Sequence, residues 1–187
     1  MKGAPKKVEE LVITVSGYHG SGRSTQATRL AEAFGLRYVS SGTIFRQIAK
    51  ERGIGLEDMS RFTEEDPEID RMIDQRAKDE SKKLGVVIDA TLAGWMAEDP
   101  DIRIFLLASF NERIKRIANR ENISYVEAEK ETVAREKSEK KRFRAYYKVN
   151  LEDLSIYDII INTELFDIDA IARILKSVVE EYCLKCF

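Results

Sequence analysis

The chain has 187 residues, with 31 basic and 33 acidic side chains and a formal net charge of −2, a balance that excludes a dedicated polyanion binder, which would carry a basic excess. Ten glycines and three prolines beside 43% hydrophobic residues exclude wholesale disorder, and no apolar run approaches the ~20 residues needed to cross a bilayer. The charged opening MKGAPKKVEE has no apolar stretch behind it, so it does not read as a signal peptide; one cytoplasmic globular domain is expected. Charged residues make up 34% of the chain, above the ~25% norm, an enrichment typical of ion-pair-rich thermophilic proteins.

In chain order, the first predicted strand is Leu11–Ser16, an apolar run that leads into Gly17-Tyr18-His19-Gly20-Ser21-Gly22-Arg23-Ser24-Thr25. Glycine, four residues, glycine, a basic residue and a hydroxyl residue, placed between a strand and a helix, is the spacing of a P-loop. The glycines let the backbone turn so that successive N–H groups face inward. At the positive end of a helix those amides hold a triphosphate. Ser24 offers a hydroxyl to Mg²⁺ and Thr25 reaches the α-phosphate. Arg23 stands where the pattern has Lys, and its guanidinium is a planar fork where an ammonium is a point charge. His19, the only histidine, needs no general-base role, because phosphoryl transfer relies on positioning and charge stabilisation.

The helix predicted over Arg23–Phe34 shows an apolar face of Ala27, Leu30, Ala31 and Phe34. A short strand, Arg37–Ser40, follows. Asp66-Pro67 then reads as a helix start, with Pro67 at the first position. Further strands are Val86–Asp89, Ile104–Ala108 and Ile159–Asn162, separated by charged stretches with helical spacing. Strands that are apolar throughout and separated by helix-length segments belong to a buried parallel sheet, so the fold class is α/β with helices on both faces.

A helix from about Ser124 to Tyr147 becomes dominated by charge in its later half, AREKSEKKRFRAYY. The final helix, Asp167–Tyr182, carries Ile168, Ile171, Ile174, Leu175, Val178 and Val179 on one face. Cys183 and Cys186 lack the partner ligands of a zinc site and the βαβ neighbourhood of a redox motif, and read as reduced bystanders.

Beyond the P-loop, three segments are informative together: Ser40-Ser41-Gly42-Thr43-Ile44-Phe45-Arg46, Val87-Ile88-Asp89-Ala90-Thr91-Leu92-Ala93-Gly94-Trp95-Met96, and Asp153-Leu154-Ser155-Ile156-Tyr157-Asp158 with Ile161-Asn162-Thr163. With Arg135-Glu136-Lys137-Ser138, Arg142-Phe143 and Tyr147, they resemble the archaeal type of cytidylate kinase, from about Leu11 to Val179. The resemblance implies a three-layer nucleoside monophosphate kinase fold with a five-stranded parallel sheet. It implies a single domain 1–187, with an acceptor-binding arm at about 41–84 and a lid at about 120–147. It also implies the reaction ATP + CMP (or dCMP) → ADP + CDP (or dCDP) with Mg²⁺; a monomer is expected, and the charge balance and the absence of a long apolar run point to neither a nucleic-acid nor a membrane partner.

The same resemblance implies roles. Arg46 grips the acceptor phosphate, with Ser41 and Gly42 bringing the backbone close. Asp89 orients the water shell of Mg²⁺, and Gly94 and Trp95 pack the acceptor nucleoside. Arg120 reaches the ATP side, while Arg135 and Arg142 close on the transferring group; Arg23, in the P-loop, carries its charge to the β- and γ-phosphates. Asp70, Asp74 and Arg76 reach ribose or base, or else are surface pairs at helical spacing. Lys137, Lys140 and Lys141 read as plain surface. Thr43 stands where many relatives have Asp, and Ala90-Thr91 replaces a frequent Gly-Arg pair. The remaining alternatives are a kinase of the same fold acting on AMP or UMP, and a catalytically idle nucleotide-binding module.

Overall fold

A computed structural model describes residues 7–55 and 67–184, apart from the side chains of Pro67, Ile69 and Asp70. Five parallel strands form one sheet: β1 (Val12–Gly17), β2 (Arg37–Ser40), β3 (Val86–Asp89), β4 (Ile102–Leu107) and β5 (Ile159–Asn162), in the order β2-β3-β1-β4-β5. The described helices are α1 (Arg23–Phe34), α2 (Ser41–Arg52), α3 (Pro67–Ser81), α4 (Ala93–Met96), α5 (Phe110–Glu121), α6 (Tyr125–Tyr147) and α7 (Ile168–Leu184). The sequence places β2, β3, β5 and α1 with the observed bounds. β1 and β4 begin or end one or two residues away, the ordinary uncertainty of element ends.

The alternation of a strand explains the two cores. Leu11, Ile13 and Val15 of the β1 segment point to one face, where Ala27, Leu30 and Ala31 of α1 and Ile171, Leu175 and Val179 of α7 cover them. Val12 points to the other, together with Val86 and Ile88 of β3, and Ile44 and Ile48 of α2 and Ala77 of α3 pack above them. With both faces covered, β1 is buried along its whole length. Cys183 packs at the edge of the first core, and Cys186 lies outside the described residues.

From β1 the chain passes to β2 at one edge, returns to β3 between them, and then crosses to β4 and β5 on the other side of β1. In an open parallel sheet such a switch point opens a crevice beyond the carboxyl ends of the strands. The ladder aligns Ser40 with Asp89, Val15 with Asp89 and Gly17 with Leu106. The chemistry-bearing segments of β1, β2 and β3 therefore meet at one edge.

Candidate functional site

The loop after β1 runs from Gly17 into α1. Helices α2, α5 and α6 start with serine caps: Ser40 Oγ accepts from Thr43 N, Ser109 Oγ from Glu112 N and Ser124 Oγ from Glu127 N. Helix α1 starts at Gly22, in the left-handed region at φ +86°, with no side chain to cap anything. Its first-turn amides thus lack a side-chain acceptor, and the exposed hydroxyls of Ser24 and Thr25 stand beside them. An uncapped helix start of this kind suits an anion. Gly20 (φ +80°) lies so close to α5 that a Cβ there would sit 2.6 Å from Arg113 O.

Arg23 does not point into solvent. Its Nε donates to Asp89 Oδ1, and its Nη1 to Gly17 O (2.9 Å) and Thr91 Oγ1 (3.0 Å). The side chains of Arg23 and Asp89 are only 13% and 2% exposed. Tyr38 Oη, from β2, donates to Asp89 Oδ2 at 2.7 Å, so both carboxylate oxygens are engaged. Burial raises the Tyr38 phenol above its ordinary value, and the adjacent Asp89 charge raises it further.

Across the loop, α5 supplies a buried arginine. Arg113 Nη1 donates to His19 O (2.9 Å) and to Glu136 Oε1 of α6 (2.5 Å). Its guanidinium lies against the rings of Tyr18 (5.1 Å) and Phe110 (5.5 Å), distances within the range of cation–π attraction. One turn along α6, Glu139 Oε2 accepts from His19 Nε2 at 2.9 Å, and Glu139 Oε1 accepts from Arg135 Nε at 3.2 Å. Burial pushes the Glu139 carboxyl upward, but the hydrogen bond and charge of His19, with Arg135 behind it, outweigh that and hold it below the ordinary glutamate value. Between the loop and α6 lies a cavity of about 360 Å³, lined by Tyr18, His19, Thr91, Arg113, Glu136 and Lys140 among others. Lys137 also lines it; the sequence alone reads both lysines as plain surface, because the direction of each turn of α6 depends on how the helix docks.

The other predicted residues fall in two groups. Ser41 and Gly42 open α2 behind a reciprocal cap in which Thr43 Oγ1 accepts from Ser40 N (2.9 Å). That contact gives Thr43 a structural task at the start of α2. Arg46 is exposed, with Nη1 folded back to within 3.6 Å of a Gly42 Cβ position. Gly94 donates its N–H to Ser16 Oγ (3.2 Å) and packs on the Tyr157 ring, with Trp95 following it. Burial raises the Tyr157 phenol, although Ser16 and Trp95 act in the opposite sense. Trp95 and Met96 pack with Leu92, Phe143 and Tyr147, which docks the end of α6 on the core.

The second group comprises Arg120, Arg142, Asp74, Asp70 and Arg76. Arg120 is 67% exposed and pairs with its neighbour Glu121. Arg142 Nη1 donates to Ser138 Oγ (2.7 Å) along α6. Asp74 is half-buried on α3, and the Asp70 side chain lies outside the described residues. Arg76 is engaged by Glu51 of α2 and clips α3 to that helix.

Sequence reasoning assigned no role to Arg113, Tyr38, Glu136 or Glu139. For Arg113 a signal was present: Phe110, Arg113, Ile114 and Ile117 follow i, i+3, i+4, i+7, which puts an arginine on a face that should be buried. Tyr38 carried none, since an aromatic residue is ordinary in a strand.

Residues 12–165 match the model of the cytidylate kinase-like family. A cytidylate kinase of Staphylothermus marinus is 44% identical over 173 residues, covering 92% of this chain and 98% of its own. Among solved structures, an uncharacterized protein from Eubacterium ventriosum superposes with a TM-score of 0.68 at 19% identity, covering 91% of this chain and 98% of that one. A shikimate kinase from Bacteroides thetaiotaomicron does so at 0.61 and 15% identity, with coverages of 91% and 98%. At such identities the two structures speak for the fold alone.

Proposed function

We propose that this chain, which belongs to the cytidylate kinase-like family, transfers the γ-phosphoryl group of ATP to CMP or dCMP, giving ADP and CDP or dCDP. The observation that carries the reading is the end-to-end match to a chain named cytidylate kinase. The uncapped start of α1 supports it with a place for the donor phosphates.

Each residue then has a task in the proposal. The amides of residues 17–25 bind the donor triphosphate. Arg23 brings its charge to the β- and γ-phosphates, for which the nucleotide must compete with Asp89. Arg46, with Ser41 and Gly42, holds the acceptor phosphate, and Gly94, Trp95, Asp70 and Asp74 lie on the acceptor side. Arg135 and Arg142, carried on a lid at about 120–147, close over the reacting group, while Arg120 serves the ATP side. Moving a phosphoryl group between two anions calls for several cations and for exclusion of water, the competing acceptor. A helix that bears arginines and docks through Phe143 and Tyr147 supplies both.

The donor set suits Mg²⁺, which is commonly held by one or two carboxylates and substrate phosphates in place of an all-protein cage. Ser24 would offer its hydroxyl and Asp89 its carboxylate through water. The ion neutralises charge on the phosphate oxygens when bound. The proposed enzyme works as a monomer on free nucleotides; no described helix is long and apolar enough to cross a membrane.

A coupled assay of ADP release across CMP, dCMP, UMP and AMP tests the reading. Turnover is expected with CMP or dCMP well above the other two. A preference for AMP or UMP would overturn the substrate assignment, and ATP binding without turnover on any acceptor would overturn the assignment as an enzyme.

A further inference from the structure

In a trans peptide unit the carbonyl of one residue and the N–H of the next point in opposite directions, and the described peptide bonds include no cis bond. Whatever holds a loop carbonyl therefore aims the amide that follows it. Two carbonyls of the glycine loop are held from outside. His19 O is held by Arg113, which directs Gly20 N–H away from α5. Ser21 O accepts from Thr163 Oγ1 at 3.0 Å, a contact between residues 142 apart in the chain.

Thr163 follows β5 and is buried. Arg116 Nη1 donates to its Oγ1 (2.8 Å), Arg116 Nη2 to its carbonyl (3.1 Å), and Glu112 Oε1 accepts from Arg116 Nε (3.0 Å). With Oγ1 accepting from Arg116, its own single proton must go to a carbonyl. Leu107 O is also 3.0 Å away, but it already accepts the Thr163 amide at 2.8 Å. Ser21 O is thus the better recipient, and Ser21 is fully buried, so water cannot substitute.

We infer that Thr163 is a positioning residue for donor binding: its hydroxyl, oriented by Arg116, holds the Ser21 carbonyl back and so aims Gly22 N–H at the donor phosphates. The side chain touches no substrate and acts through the loop. A hydroxyl is required where a methyl of the same size would fill the space. The inference rests on the proposal that residues 17–25 hold the donor.

Calorimetric titration of wild type, Thr163→Val and Thr163→Ser with ATP, and separately with CMP, tests it. Thr163→Val should weaken ATP roughly three- to tenfold, the scale of one misplaced hydrogen bond, and leave CMP within twofold. Thr163→Ser should keep both within twofold. Arg116→Met, which frees the hydroxyl to turn, should give a smaller loss for ATP alone. Wild-type protein that binds no ATP would remove the underlying reading. Wild-type protein that binds ATP while Thr163→Val binds it equally well, or loses ATP and CMP in equal measure, would overturn this inference alone, as would a serine variant as weak as the valine one.

Discussion

Arg23→Lys is the substitution on which the geometry makes the sharpest demand. The guanidinium spans three acceptors, Asp89 Oδ1, Gly17 O and Thr91 Oγ1. An ammonium keeps the charge beside Asp89, but its one nitrogen cannot reach the end of β1, the end of β3 and the residue two beyond it together. At least one of the two bonds to neutral acceptors is lost, and with an ionised donor that costs a net ~1.5–3 kcal/mol. At roughly 2–4 °C per kcal/mol for a chain of this size, the melting temperature should fall by about 3–12 °C. Arg23→Met goes further, because it leaves a nearly fully buried Asp89 without its cation, and removing one partner of a buried pair costs about 3–5 kcal/mol.

Scanning calorimetry should therefore order the proteins wild type, Lys, Met. Saturating ATP should narrow the gap between wild type and Lys, since both side chains then face phosphate. Turnover of the Lys variant should stay within about tenfold of wild type, because the charge is retained. An unchanged melting temperature for Arg23→Lys, or one equal to that of Arg23→Met, would refute the reasoning.

Arg46→Ala should raise the Michaelis constant for CMP by roughly ten- to a hundredfold, the scale of a charge-assisted hydrogen bond, and leave that for ATP nearly unchanged; initial-rate kinetics varying each substrate reads the split. Arg135→Ala should lower kcat by about a hundredfold or more with modest change in either Michaelis constant, as expected of a contact made in the transition state; rapid-quench kinetics checks it. Glu139→Gln bears on acid stability. A carboxyl whose folded value is depressed contributes stability that is fully present above the ordinary glutamate value near ~4.3 and is lost as the pH falls through its folded value. Denaturant unfolding of the Gln variant should accordingly show a shallower loss below about pH 4.5 than wild type.

The sheet was legible because burial on both faces leaves a mark that needs no tertiary knowledge: Val86–Asp89 is apolar up to its final carboxylate, and the observed strand has the same ends. The glycine loop was legible because its spacing is a backbone requirement. The contacts that tie the loop to the rest of the chain were not. Arg113, Glu139 and Thr163 reach it from α5, α6 and the end of β5, and Tyr38 of β2 reaches Asp89, the partner of Arg23; nothing local to any of them says what they will meet. For α6 the sequence showed a run of charge and implied a lid. Which charges turn inward depends on Phe143 and Tyr147 docking against Leu92 and Trp95, a fact of packing.

That docking also reconciles the chain's charge with its proposed substrates. A net charge of −2 argues against a general affinity for polyanions, yet the proposed site must accept two phosphorylated ligands. The cations around the loop meet carboxylates of the chain itself: Arg23 meets Asp89, Arg113 meets Glu136, His19 and Arg135 meet Glu139, and Lys140 meets Glu152. Each carboxylate keeps a cation oriented that would otherwise be free to move, and the proposed function has a phosphate take the place of such a carboxylate. In the proposed function donor binding is then an exchange of partners, in which the gain is the difference between a phosphate and a carboxylate at each cation. Only a ligand that presents its charges in the loop's own geometry collects enough of those differences at once, so selectivity for a nucleotide over an arbitrary anion follows from balanced charge, where an excess of positive charge would have favoured any polyanion.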